Sequence, residues 1–344
     1  MSFRRPPEPA DGRRAGAGGA LPASTRSRVL AGLALLFLLT RTVEANDVHL
    51  LVITGVEGDQ EHGDRFSQWA TALLDAASRD SGVPDSNIVY LAEKPERDPA
   101  RIRARSTREN VERAFADVAA RARPGDDVFV VLIGHGSFDG RQASFNLPGP
   151  DLTAPDYARL LDQFDAQRVV FVNTSSSSGA FLVPLAAPGR TIVTATRTGG
   201  ERNEPRFPAF FVEAFGTAAA DRNRDGGVSV LEAFEYAKTK VTQSYEQEGL
   251  VLTEHATIED GSGGALAATL ALAATRPSSA KLAAIADPAL RALVEERQAL
   301  EDQVAALKAR KRAMDPARYD EELERLLTAL AQKTRAIRQT EGKK

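Results

Sequence analysis

The chain has no cysteine among its 344 residues. That excludes disulfide bonds, so stability must come from core packing, with or without a bound metal. It also excludes a thiolate, the nucleophile that cysteine supplies at neutral pH. Charge is nearly balanced, at a net −3, which gives no argument for nucleic acid as a partner. Histidine is scarce, with four in the chain: His49, His62, His135 and His255. The apolar run near the N-terminus, Val29 to Thr40, falls short of the roughly 20 residues that a spanning helix needs.

What is present sorts into three parts. Residues 1–28 are rich in Pro, Gly and Arg and are expected to form no packed structure. Arg26 and Arg28 then precede the apolar run, and Val43 and Ala45 form a small-x-small pair. Positive charge, a short apolar segment and small residues together read as a secretory signal cleaved after Ala45. Left uncleaved, residues 29–40 would anchor the chain to a membrane. Either way residues 46–344 are expected to be exported, to a periplasmic or extracellular space.

From Asp47 the pattern alternates strand and helix. Val48–Thr54, Asn87–Leu91, Asp127–Ile133, Val169–Val172 and Thr191–Ala195 are apolar, β-branched runs. Between them, Asp64–Arg79 repeats apolar residues at three and four, and Ser106-Thr-Arg-Glu109 reads as a capping box opening a helix with Val111, Phe115 and Val118. Lys94–Arg105 reads as a charged loop. Further helices are expected over Thr153–Phe164, Pro205–Ala220 and Val230–Gln247. Runs rich in Val and Ile, separated by helices, imply a mostly parallel sheet covered on both faces, a three-layer αβα sandwich. Residues 260–280 read as a linker with one edge strand near Leu266–Leu272, which puts the α/β domain at 46–275.

The chain changes character near Lys281. Leu290, Leu293, Leu300, Val304 and Leu307 form one apolar seam. Asp315-Pro316 reads as an N-cap and first helical position, and Tyr319, Leu323, Leu326, Leu330 and Ile337 form a second seam. Residues 281–344 are therefore a helical hairpin or a self-associating coiled coil; an arm packed on its own domain is the equal alternative.

Two strands end in polar, glycine-marked loops. Asp127–Ile133 runs into Gly134-His135-Gly136, and Val169–Val172 runs into four serines, Ser175 to Ser178, and Gly179. Functional groups gather at the carboxyl ends of such strands. In order and spacing, residues 48–215 resemble the legumain and caspase-like cysteine peptidases. The resemblance implies a catalytic histidine at His135, before Gly136, and a nucleophile two residues before a Ser-Gly pair, which is Ser176, or Ser175 if the register slips by one. Family members carry cysteine there. A serine hydroxyl has no useful ionised fraction at neutral pH and needs a base in hydrogen-bond contact. The expectation is thus a degenerate dyad, His135 and Ser176, in a pseudoenzyme whose cleft binds an extended peptide or an envelope protein. An active serine hydrolase is the first alternative. A structural envelope protein assembling through 281–344 is the second.

His62 is expected to face the same sheet end as His135, and Arg197 and Arg202 to lie in the loop bordering the cleft. His49 reads as structural.

Asp221-Arg-Asn-Arg-Asp-Gly-Gly-Val-Ser-Val-Leu-Glu232 matches an EF-hand loop. Asp221, Asn223 and Asp225 stand at positions one, three and five. Gly226 stands at the sharp turn, Gly227 offers its carbonyl, Ser229 is at nine, and Glu232 closes the loop as a bidentate ligand. The expected cofactor is Ca2+. The plain alternative is an Asp/Asn/Gly turn followed by a Ser-x-x-Glu capping box.

Overall fold

The computed structural model describes residues 46–80, 82–224, 227–272, 285–309 and 314–341. The expected signal segment, Asp225 and Gly226 lie outside the described residues.

Seven strands form the central sheet: β1 (Val48–Thr54), β2 (Ile88–Ala92), β3 (Ile102–Arg105), β4 (Asp127–Ile133), β8 (Arg168–Asn173), β9 (Arg190–Thr194) and β10 (Thr257–Glu259). Their order is β10-β9-β8-β4-β1-β2-β3, and every pair is parallel except β10 on β9. Every residue of β1 and β4 is buried. That explains their unbroken apolar sequence, because a strand covered on both faces has no solvent side to alternate with.

Helices α1 (Gln60–Asp75), α5 (Phe207–Ala214) and α6 (Val230–Gln247) cover one face, where Phe66, Leu73, Phe211 and Phe234 pack on Leu50, Val52 and Phe129. Helices α2 (Arg108–Ala119) and α3 (Ala154–Leu161) cover the other, with Phe115 and Tyr157 on Leu51, Val130 and Phe171; the short α4 (Leu182–Leu185) adds Leu185 there. The fold is the expected three-layer αβα sandwich. A small antiparallel sheet, β5 (Gly136–Phe138), β6 (Ala143–Phe145) and β7 (Leu152–Thr153), grows directly out of the His135 loop.

Several local expectations are corrected. The Lys94–Arg105 segment is not all loop, because its last residues form the edge strand β3. α1 begins at Gln60, where Asp59 accepts the His62 amide hydrogen, ahead of the expected Asp64. Thr107, not Ser106, caps α2, since Thr107 is extended and accepts from the Asn110 amide while Ser106 is fully buried. α5 is shorter than the pattern suggested. The edge strand is Thr257–Glu259; residues 267–269 are instead a 3-10 turn. The reason lies in Asp260, whose carboxylate accepts from the amides of Ser262, Gly264, Leu266 and Ala267 at 2.8–3.1 Å and winds the chain around itself.

The C-terminal segment forms two helices, α7 (Pro288–Ala309) and α8 (Pro316–Glu341), which pack on each other as a hairpin. Val304, Leu307, Tyr319 and Leu326 are its buried cluster, and Asp315 caps α8 through the Arg318 amide. Among the described residues, no helix is long and apolar enough to cross a membrane.

Candidate active site

The sheet order turns back between β1 and β4, so their carboxyl ends flank the crevice in which open α/β sheets place ligands. β1 leads through Gly55 to Glu57, and β4 leads to His135. The serine row leaves the adjacent strand, β8. Phe66, Trp69, Gly134, His135, Thr174, Ser176, Glu204, Pro205 and Pro208 line one narrow cleft there. His135 and Ser176 therefore share a cleft, as expected.

They do not form a hydrogen-bonded dyad. The Ser176 hydroxyl donates to the Gly136 carbonyl at 3.0 Å. The His135 imidazole lies 3.4 Å, through Nε2, from the Glu57 carbonyl, and its ring meets those of His62 and Phe66 edge-on at 4.7 and 5.2 Å. Among the described residues no carboxylate orients it. The nearby acid, Glu57, is buried and spent: Arg97 and Lys94 bond both of its oxygens at 2.6–2.8 Å. Burial works against its ionisation, but those cationic donors hold its carboxyl below the usual range.

The serine row is built by its own hydrogen bonds. Ser175 is fully buried, with its amide and hydroxyl both on the Asn173 side chain at 3.0 and 2.7 Å. Ser177 stands in the left-handed region at φ +59, which costs a non-glycine residue about 1 kcal/mol. Ser178 and the Gly179 amide bond Thr196 on the next loop. The two signature glycines have steric reasons. A Cβ on Gly136 would fall 2.2 Å from the Ser176 carbonyl, and one on Gly179 would fall 2.2 Å from the Arg197 backbone. In this chain the His-Gly and Ser-Gly pairs are close-packing points.

His62 packs edge-on against His135 at the same sheet end but is not among the residues that line the cleft. Its Nδ1 is 2.8 Å from Asp59 and its Nε2 is 3.2 Å from Glu204. The bond to Asp59, reinforced by Glu204 against partial burial, raises the imidazole above its ordinary value. Glu204 also accepts from Arg65 at 2.8 Å. Arg197 and Arg202 do lie in the loop after β9, but that loop carries Glu201 and Glu204 as well, so no net basic patch results. Glu57, Phe66 and Glu204 were missed as site residues. Glu57 follows the glycine ending β1 and was visible as a strand-end polar residue. Nothing in sequence linked Glu204 to His62 across 142 positions.

In the loop between α5 and α6, Ser229 and Glu232 form the capping box of α6. Glu232 reaches back over the loop, accepting from the Arg222 and Asn223 amides through Oε1 and from Ser229 through Oε2. Burial opposes its ionisation, yet the Ser229 and loop amide bonds hold its carboxyl below the usual range. Asp221, Asn223 and Gly227 stand on the same loop; Asp225 is outside the described residues. Among the described residues no three acidic or histidine side chains are gathered as for a metal. Val230 donates to the Leu270 carbonyl at 2.7 Å, tying the loop's exit to the segment before residue 272.

No family model matches the chain, and no curated protein matches it. Among solved structures it is similar to the Drosophila initiator caspase Dronc, at 10% identity and a TM-score of 0.37, over 62% of this chain and 79% of that one. A likeness of that degree assigns no function.

Proposed function

We propose that the chain is a degenerate, non-catalytic peptidase-like domain of the legumain and caspase kind, exported and calcium-binding, whose cleft holds an extended peptide of an envelope protein. One observation carries the reading: the Ser176 hydroxyl gives its hydrogen to the Gly136 carbonyl, while among the described residues His135 has no carboxylate behind it. A serine attacks only when a base takes its proton, and a histidine base works best when an acid fixes its tautomer. Both conditions are unmet here. What remains is a narrow cleft walled by Phe66, Trp69 and Pro205 at the carboxyl ends of the strands, the place where open α/β sheets receive a ligand.

A fluorophosphonate probe separates this from the runner-up, a hydrolase using Ser176 with His135, which their shared cleft favours. The expected result is no labelling. Labelling that disappears in Ser176→Ala establishes the hydrolase instead. A third reading, assembly through residues 281–344, is favoured by the separate apolar cluster of the α7–α8 hairpin. It requires that deleting 281–344 lower the native mass while leaving the α/β domain folded.

Export rests on the arginine, apolar and small-residue pattern of 26–45. Calcium rests on the oxygen donors Asp221, Asn223, Asp225, Gly227, Ser229 and Glu232 at EF-hand spacing. Glu232 already folds back over the loop, and an ion would compete with the amides for its oxygens. An ion that binds only the native state stabilises it by mass action. Chelator should therefore lower the melting temperature, and Glu232→Gln should remove that sensitivity. No shift on adding excess calcium to stripped protein would sink the assignment.

A further inference from the structure

Helix α8 carries two different faces. One is the seam on which Tyr319, Leu326 and Ile337 are buried. Among the described elements, α7 and α8 are each other's one extended packing partner. The second face points elsewhere. An α-helix turns by about 100° per residue, so Asp320, Glu324, Leu327, Ala331 and Arg335 share a stripe about 80° wide, separate from the seam. All five are exposed. Leu327 keeps 46% of its surface in water. A single exposed leucine is ordinary; the charges around this one are not.

Those charges change sign along the helix. Residues 316–328 hold Asp320, Glu321, Glu322 and Glu324 against Arg318 and Arg325. Residues 329–341 hold Lys333, Arg335 and Arg338 against Glu341. The helix dipole favours this order, but its effect is confined to the first and last turns, and Glu324 and Arg335 lie further in. Part of the charge is used inside the hairpin: Glu322 pairs with Arg325, and Lys333 with Glu296 of α7. Asp320, Glu324 and Arg335 make no ion pair among the described residues. The stripe thus reads acid, acid, leucine, alanine, base, which is its own complement when reversed.

We propose that this face docks a second copy of the chain, α8 against α8, antiparallel about a two-fold axis crossing the helix near residues 329–330. Glu324 of each copy then meets Arg335 of the other, and Leu327 lies beside Ala331 between these two contacts. A two-fold interface requires such self-complementarity, with residue i on j and j on i. A parallel pairing would set Glu324 on Glu324 and Arg335 on Arg335, so charge selects the antiparallel one. The small Ala331 lets the two helices approach closely. Two hairpins joined in this way bring four helices together over Leu323 and Leu330, which one hairpin alone leaves half-buried. This contact rests on the third reading above, assembly through residues 281–344, and adds to it the face, the partner and the symmetry.

Sedimentation velocity of the full chain over roughly 1–100 μM tests the contact, since an interface with few apolar anchors is expected to dissociate in that range. The mass should rise with concentration towards two chains. Each substitution acts twice across the axis. Glu324→Arg or Arg335→Glu should weaken the dimer at least about tenfold, and both in one chain should restore it to within about threefold, because every pair is then reversed. Leu327→Gln should weaken it from the apolar side. Far-UV circular dichroism should stay unchanged, because all three positions are exposed. If a reversal lowers the helix content, Glu324→Gln and Arg335→Gln remove the same attraction and should each weaken the dimer a few-fold. A monomer at every concentration overturns the proposal. So does a dimer that neither reversal weakens, or one that the double reversal fails to restore. In those last two cases, a mass that still falls on deleting 281–344 removes only this face and leaves assembly through the hairpin standing; a mass that the deletion does not change removes both.

Discussion

The two ends of the central sheet treat histidine in opposite ways. At the amino ends of the strands, His49 bonds Asp126 at 3.1 Å with both side chains buried, and Asp126 also receives the amides of Asp47 and Arg123. Beside it Asp127 takes Arg168 on two bonds of 2.6 and 2.7 Å. At the carboxyl ends, His135 meets two aromatic edges and a backbone carbonyl. The chain thus gives the buried His49 a carboxylate partner and, among the described residues, leaves the cleft-lining His135 without one, although its neighbour His62 has Asp59 and Glu204. A hydrolytic site needs the reverse, because the acid fixes the tautomer of the base and stabilises its cation. One end is matched for stability; the other is open and under-committed.

The sharpest way to break this contrast is to remove the acid beside His49 and, separately, the imidazole of His135. Asp126→Ala strands a buried imidazole and two amides, and losing one partner of a buried pair costs about 3–5 kcal/mol. His135→Ala removes ring contacts and one long hydrogen bond in a part-open cleft, and should cost under about 1.5 kcal/mol. Urea unfolding of both variants measures the difference. Equal losses would mean that His135 is as structural as His49, and that the cleft is not a functional surface.

A second test uses pH. Burial pushes the Asp127 carboxyl up to about 6 in spite of Arg168. Its folded value lies above its unfolded one, so its stabilising contribution is full below about pH 4 and is lost as pH rises through about 6. The shift corresponds to at most about 3 kcal/mol between pH 4 and pH 8. Glu254 adds a loss of the same sign near neutrality. Asp127→Asn should remove the lower-pH part of the slope in urea midpoint against pH and leave the part near pH 7. An unchanged slope would show that Arg168 compensates the charge fully. Asp260 is the counterexample: burial opposes it, but amides from Gly264, Ala267 and Ser262 hold it at about 2, so its contribution persists down to strong acid and fades only as pH falls through that value.

Much of this was legible in the sequence, for identifiable reasons. β1, β4 and β8 read as strands because a doubly covered strand leaves a continuous Val and Ile record. β3 did not, because Ile102-Arg-Ala-Arg105 sits at an open edge with Arg103 and Arg105 exposed, where arginine is allowed. The positions of His135 and Ser176 at neighbouring strand ends followed from topology. Their failure to bond did not, because the direction of a hydroxyl depends on the turn after it, here the left-handed Ser177. Contacts such as Glu204 with His62 join residues far apart in the chain, and single-sequence patterns carry no signal for them. Ser229 and Glu232 satisfy a capping box and two EF-hand positions at once, so that pattern alone never separated the two.

The smallest expected effect belongs to Ser176 itself, and its sign is what matters. Ser175 is fully buried and its hydroxyl bonds Asn173 at 2.7 Å, so Ser175→Ala removes one of the two donors on that oxygen, leaves the amide in place, and should cost about 1–1.5 kcal/mol. Ser176 is half-buried and gives up one bond to the Gly136 carbonyl, so Ser176→Ala should cost less than about 1 kcal/mol. Groups held against their own stability at working sites often stabilise the fold when removed. A gain of stability in Ser176→Ala would therefore mark a residue kept for chemistry and would revive the hydrolase. A loss as large as that of Ser175→Ala would make the whole row structural. A smaller loss at Ser176 than at Ser175 fits a row in which three serines build the loop and the fourth lines the cleft.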